Sequence, residues 1–180
     1  MTPETLARLD RPWLIGATFL LFVVGNALIL PEVTHFEELS GGIAMLELPT
    51  QLTQDLRAVA ASYPPAAVDH YLGVLLPLDL LYPATAGLFF ATWLFVLSRR
   101  LFAPGSLGRQ LPWLGAAMTL ADWSENLGVY VVLTSPRLSD SFELAARLAI
   151  ASKFAIGSAT VVLALGLTLA WGLPWFTATR

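Results

Sequence analysis

The sequence predicts an all-α integral membrane protein: a four-helix bundle with an external, partly helical loop between its first and second helices. Three observations lead to this expectation. Hydrophobic residues make up 56% of the 180-residue chain and charged residues only 13%, against about 25% charged in ordinary soluble domains. The mean hydropathy is +0.68. Four mainly apolar stretches each reach the roughly 20 residues that a helix needs to cross a bilayer core.

The stretches run over about 12–30, 71–97, 111–134 and 144–172, with an external loop over 31–70. Together they read as a single membrane domain, 1–180. Pro12 and Pro112 stand near the starts of the first and third spans, and Pro31 just after the end of the first. Pro77 and Pro83 lie inside the second, where they are expected to kink it and free backbone carbonyls. Arg8 and Arg11 precede the first span in the manner of a signal peptide. Its 18 apolar residues are long for that role, so it is read as an uncleaved helix.

Orientation follows Lys and Arg. Arg8, Arg11, Arg99, Arg100, Arg109 and Arg180 fall on one side; Arg57, Arg137 and Arg147 fall on the other, among Glu32, Glu37, Glu38, Glu47, Asp55, Asp69, Asp140 and Glu143. This distribution predicts a multi-pass protein of the cell (inner) membrane with both termini cytoplasmic. Trp13, Trp93, Trp113, Trp171 and Trp175 would form the aromatic belt at the cytoplasmic interface. Within the external loop, 46–62 reads as an amphipathic helix with Thr50 as N-cap and Leu48, Leu52, Leu56 and Val59 on one face. Tyr63-Pro64-Pro65 would end it.

The spans carry ionisable groups, each costing about 2.5–3.5 kcal/mol at a helix centre. At about 1.5 Å per residue, Asp79 lies roughly 12 Å deep, Glu125 and Asn126 roughly 13 Å, Lys153 roughly 14 Å and Asp122 roughly 18 Å. Three helices thus bring polar groups to one layer in the outer half of the membrane. Asp122, Glu125 and Asn126 share a helix face, continued by Thr119. Asp79 and Tyr82 share another. Lys153 shares its face with Ala149, Gly157 and Thr160. Three carboxylates and one ammonium would sum to −2, which a low-dielectric site does not sustain. At least one carboxyl is expected to hold a proton, as a general acid or a proton relay requires.

Asp79, Asp122, Glu125 and Lys153 are therefore the candidate catalytic residues, and Tyr82, Asn126, Trp123 and His70 the candidate substrate-binding ones. The competing reading makes Lys153 and an aspartate a structural ion pair, with Asn126 and Tyr82 as hydrogen-bonding glue. His35 and His70, with nearby acids, are of ligand type for Zn or Fe. No ligand spacing supports that, so no metal and no cofactor is assigned. Ser152 and Lys153 are adjacent on a helix and point about 100° apart, which disfavours a Ser–Lys dyad. The absence of cysteine excludes thiolate chemistry, and no basic block suits nucleic acid. The expected partners are the lipid bilayer, a lipophilic small molecule, and further copies or a larger membrane complex.

Asp79-Leu80-Leu81-Tyr82-Pro83, Asp122-Trp123-Ser124-Glu125-Asn126 and Lys153 together resemble a group of uncharacterised bacterial four-helix membrane proteins. The resemblance runs from Leu72 to the end and implies no activity. Three function classes follow from the residues. The first is a membrane enzyme using buried carboxylates for acid/base chemistry on a lipid or isoprenoid. The others are a structural or accessory subunit of a larger complex, and a proton-coupled transport element.

Overall fold

The computed structural model describes residues 12–135, 137 and 139–172. The expectations that rest on Arg8, Arg11, Trp175 and Arg180 lie outside the described residues. Every regular element among the described residues is helical. The five helices are α1 (Pro12–Leu39), α2 (Leu56–Ser62), α3 (Pro65–Leu101), α4 (Trp113–Thr134) and α5 (Asp140–Gly172). Three of them, α1, α3 and α5, are long and apolar enough to cross a membrane. The fourth expected span, α4, is 22 residues long but does not belong to that apolar set. Asp122, Ser124, Glu125 and Asn126 lower its hydropathy, and three of these four are buried.

Two boundaries differ most from the sequence reading, while α3 runs on to Leu101 and α5 starts at Asp140, each four residues beyond its expected end. Helix α1 does not stop at Pro31 but continues to Leu39. A proline inside a helix removes one donor, and here the chain runs on to a stronger stop. Gly41 and Gly42 have φ of 69° and 84°, and Gly42 N–H returns to Glu37 O at 2.9 Å. Left-handed glycine conformations of this kind end helices. Helix α3 begins at Pro65, earlier than the expected 71, and includes a π-helical turn over Tyr71–Leu75. There Leu76 N–H bonds Tyr71 O, five residues back. This wide turn sits directly before Pro77, whose missing N–H an ordinary α-turn would require.

The loop between the first two long helices contracts to 40–64 and folds back over one end of the helices. The expected helix over 46–62 is not formed. Pro49–Thr53 is a 3-10 turn, and the N-cap of α2 is Asp55, not Thr50. Asp55 Oδ1 accepts from Arg57 N at 3.0 Å and Ala58 N at 3.1 Å. Pro49 favours the tight start of the first turn, and the Asp55 side chain restarts the helix six residues later. Leu48, read as part of the buried face, is exposed, whereas Leu56 is buried. Met45, Leu46, Leu56 and Tyr63 enter one apolar cluster with Phe36, Tyr71, Val129 and Ile150. The loop is therefore a packed lid.

Charged groups fasten the lid to α5. Glu143 is 5% exposed. Its Oε1 accepts from Leu56 N at 3.1 Å and from Arg147 Nε at 3.2 Å, and its Oε2 lies 2.8 Å from Arg57 Nε. Arg147 Nη1 donates to Leu52 O at 2.8 Å. Arg57 Nη1 also meets Asp140 at 3.0 Å. At the opposite end of the molecule, Arg100 stands over the Trp171 ring at 4.5 Å, so α3 and α5 finish on the same side. A second apolar cluster fills that half, with Phe89, Phe90, Leu94 and Ala164 at its centre and Phe22, Trp93 and Val161 packed around them.

Asp55 lies outside the long apolar helices. The Ala58 N–H holds its carboxylate below the usual Asp range, and the charge of Arg57 adds to this. A carboxylate with a depressed folded pKa stabilises the fold fully above its unfolded value, here 3.8. That contribution is lost as pH falls through the lower, folded value. A spin label at Ala61 is expected to report an ordered α2 above the unfolded value and fraying once pH falls through the lower, folded one. Asp55→Ala is expected to fray at every pH, and identical spectra for the two proteins would contradict the cap.

Candidate functional site

The site begins with a missing backbone donor. Pro83 has no N–H, so the carbonyl of Asp79, four residues earlier, lacks its helical partner. An unpaired buried carbonyl costs about 1–3 kcal/mol. Helix α4 supplies the donor: Asn126 Nδ2 bonds Asp79 O at 2.7 Å. Two further α4 side chains reach neighbouring α3 carbonyls. Trp123 Nε1 donates to Leu80 O at 2.9 Å, and Thr119 Oγ1 to Pro83 O at 2.9 Å. Residues 119, 123 and 126 are spaced by four and three, so they line one face of α4. A Cβ on Gly87 would stand 2.5 Å from Gly115 O. Only glycine allows the two helices to approach so closely one turn further on.

This register brings the acids together. Glu125 is fully buried, Asp122 5% exposed and Asp79 7% exposed. From α5, Lys153 Nζ reaches Glu125 Oε2 at 2.6 Å and Asp122 Oδ1 at 3.6 Å. The close seating of α5 on α4 depends on Gly128, where a Cβ would meet Ala146 Cα at 3.2 Å. Lys153 thus bridges two carboxylates of α4, and the four ionisable residues read from the sequence share one buried cluster. Asp79 Oδ2, Glu125 Oε1 and Asn126 Oδ1 are buried acceptors without a hydrogen-bond partner among the described residues.

The cluster has a member that the sequence reading placed outside the membrane. Glu47 comes from the lid and is half-buried. It accepts a hydrogen bond from the buried Tyr71 hydroxyl, and it lies within Coulombic range of Asp79, Asp122, Glu125 and Lys153. A signal was present. Glu47 is the sole charged residue between Glu38 and Asp55, and it sits in the apolar run Ile43–Leu48.

The candidate binding residues separate. Tyr82 packs its ring on Phe22 of α1 at 6.0 Å. Its hydroxyl lies beside the Asn26 side chain and within Coulombic range of Asp122 and Asp79. It also lines an apolar groove of about 380 Å³ with Leu21, Val24 and Leu28 of α1 and Leu78 and Leu81 of α3. The nitrogens of Asn126 and Trp123 are committed to the α3 backbone. The Trp123 indole is otherwise 41% exposed and borders a second groove on the outer faces of α3 and α4. His70 belongs to a separate pair: its ring meets His35 at 4.8 Å, and its Nε2 stands 3.1 Å from Glu32 O. No group of three or more His, Asp or Glu among the described residues has metal-binding geometry. Ser152 is exposed while Lys153 turns inward, as adjacent helical positions require.

No family model, curated protein or solved structure matches this chain.

The backbone repair and the ion pair can each be tested by double substitution. Asn126→Ala is expected to cost about 1–3 kcal/mol of stability through the unpaired Asp79 carbonyl. Pro83→Ala restores the helical donor, so the same change is expected to cost less in that background. Equal losses in both backgrounds, read by thermal melting in detergent, would detach Asn126 from the proline. Lys153→Met is expected to cost about 3–5 kcal/mol, because Glu125 is left as a buried charge without its partner. Adding Glu125→Gln is expected to return much of that loss, and strict additivity of the two changes would refute the pairing.

Proposed function

We propose that this chain is a four-span enzyme of the cell (inner) membrane that uses its buried carboxyl groups to move protons on a lipophilic substrate, a lipid or isoprenoid. The observation that carries the reading is the cluster of Asp79, Asp122, Glu125 and Lys153 beside an apolar groove that reaches Tyr82 between α1 and α3. In this reading α4 is the fourth span, with its polar face turned inward. The termini are cytoplasmic and the lid is external. The distribution of arginine supports that orientation: lid-end Arg57 and Arg147 are matched by Asp55, Asp140 and Glu143.

The chemistry is a paired proton transfer. One carboxylic acid protonates a carbon–carbon double bond, and its O–H bond breaks as a C–H bond forms. A neighbouring carboxylate stabilises the cation and removes a proton from the adjacent carbon, so the double bond re-forms one position along. The first acid is left as a carboxylate and the second as an acid. Two carboxyls held in different surroundings suit these opposite roles. Lys153 biases which one keeps its proton, while Tyr82 and Asn126 orient the groups. The apolar walls of the groove suit a hydrocarbon chain, with the reacting segment toward Tyr82.

The other two classes draw less support. A purely structural network would match its buried charges, yet the single Lys153 meets two carboxylates, Glu125 and Asp122. A transport path needs polar groups through both halves. The half away from the lid is packed with Phe89, Phe90, Leu94 and Ala164. Its buried Thr92 and Ser98 bond carbonyls of their own helix.

Native mass spectrometry with lipid extraction of the mildly purified protein tests the reading. A specific lipid or isoprenoid is expected to co-purify and to be lost from Asp122→Asn. A stoichiometric protein partner with no retained small molecule would replace the enzyme by an accessory subunit.

A further inference from the structure

We infer that Glu47 on the lid is the residue through which the buried carboxyls exchange protons with the outer aqueous side, and that Tyr71 positions it. The inference rests on the reading above, in which those carboxyls give up and recover protons. Each turnover leaves the number of protons in the cluster unchanged, and the return from the second carboxyl to the first is internal; a route to water is what loads the cluster with its proton in the first place. One end of the bundle is closed by apolar packing around Phe89, Phe90 and Leu94. The lid closes the other end, and it carries one carboxyl inward.

Three features single out Glu47. Its neighbours Met45 and Leu46 are buried, 4% and 1% exposed, so the segment is anchored with Glu47 facing the helices. Its own side chain is only partly covered and stands at the boundary between the cluster and the surface. It also accepts a hydrogen bond from the hydroxyl of the buried Tyr71. The titratable groups that face it are Asp79, Asp122, Glu125 and Lys153 from the helices, and Tyr63 and Tyr71 around it.

The two tyrosines hold rather than relay. Tyr63, in the lid, donates its hydroxyl to Ala44 O at 2.7 Å. Burial, followed by the charge of Glu47, raises its pKa well above the usual phenol range, so it stays neutral. Tyr71 is wedged against Phe36 with ring centroids 5.6 Å apart, and its hydroxyl donates to Glu47 Oε2. This bond fixes the carboxylate from the helix side. The transfer step balances: the O–H bond of a proton-bearing Glu47 breaks as an O–H bond forms on a carboxylate of the cluster. Glu47 then takes its next proton from outer water. The reverse sequence removes a proton from the cluster.

The route can be read by infrared difference spectroscopy of the protein in liposomes on exchange from H₂O to D₂O. Protonated buried carboxyls give C=O bands that shift as they take up deuterium. The wild type is expected to show such bands and to exchange them promptly. In Glu47→Gln the exchange is expected to slow by about tenfold or more, on the scale of a lost proton-transfer group. Glu47→Asp is expected to restore part of the rate, and Glu37→Gln, on the exposed end of α1, to leave it unchanged. Tyr71→Phe keeps the ring packing and is expected to slow exchange by a smaller factor. It carries the test if Glu47→Gln does not fold. Bands that exchange at the wild-type rate in every variant would overturn the role of Glu47 and leave the proposed chemistry standing. Absence of any buried carboxylic acid band in the wild type would overturn the chemistry itself, and this inference with it.

Discussion

A carbonyl in apolar surroundings must find a donor, and much of this molecule follows from that requirement at Asp79. Water is not at hand to satisfy the group that Pro83 strands. The donor comes from another helix, so a defect within α3 becomes a bond between α3 and α4. Thr119, Trp123 and Asn126 bind the carbonyls of Pro83, Leu80 and Asp79 and set the register of the two helices. Gly87 and Gly115 allow the close approach that the short Thr119 side chain needs. Once that register is set, Asp122 and Glu125 each lie one residue before a bonded position, and both turn toward α5, where Lys153 meets them.

Lys153 completes the arrangement electrostatically. A buried ammonium and a buried carboxylate each carry a desolvation penalty that only close pairing offsets. The 2.6 Å approach to Glu125 and the longer one to Asp122 make Lys153 the link between α5 and α4 at this depth. A single cation facing several carboxyls leaves acceptor capacity unused. In a purely architectural network apolar side chains would pack as well.

The lid joins this core by a different logic. Its apolar residues enter the same cluster as Phe36, Tyr71 and Ile150, while Glu143 and Arg147 bond its backbone at Leu56 and Leu52. Glu143 therefore caps a helix in the lid while standing in the first turn of α5, where a negative charge also suits the helix dipole. The lid is thereby fixed at both its apolar and its polar face. Glu47 is carried on the segment between Gly42 and Pro49, ahead of the pinned α2.

Helix type, the approximate extent of the long helices and the shared face of Asp122, Glu125 and Asn126 were determined by sequence alone. Apolar length and the spacing of three and four residues are local properties that need no partner to be read. The structure brings Lys153 onto Asp122 and Glu125, as the shared layer of polar groups suggests. Tertiary structure decided the rest. Pro31 does not end α1 because a proline removes a single bond, whereas Gly41 and Gly42 supply a backbone turn that closes the helix. Asp55 replaces Thr50 as cap because Glu143, 87 positions away from Leu56, holds the next N–H in place. Glu47 joins the buried acids only because the lid folds inward around Met45 and Leu46. Asn126 and Trp123 bond backbone because Pro83 of another helix needs them. Each of these outcomes turns on a donor or an apolar surface supplied from far along the chain, which no local pattern contains.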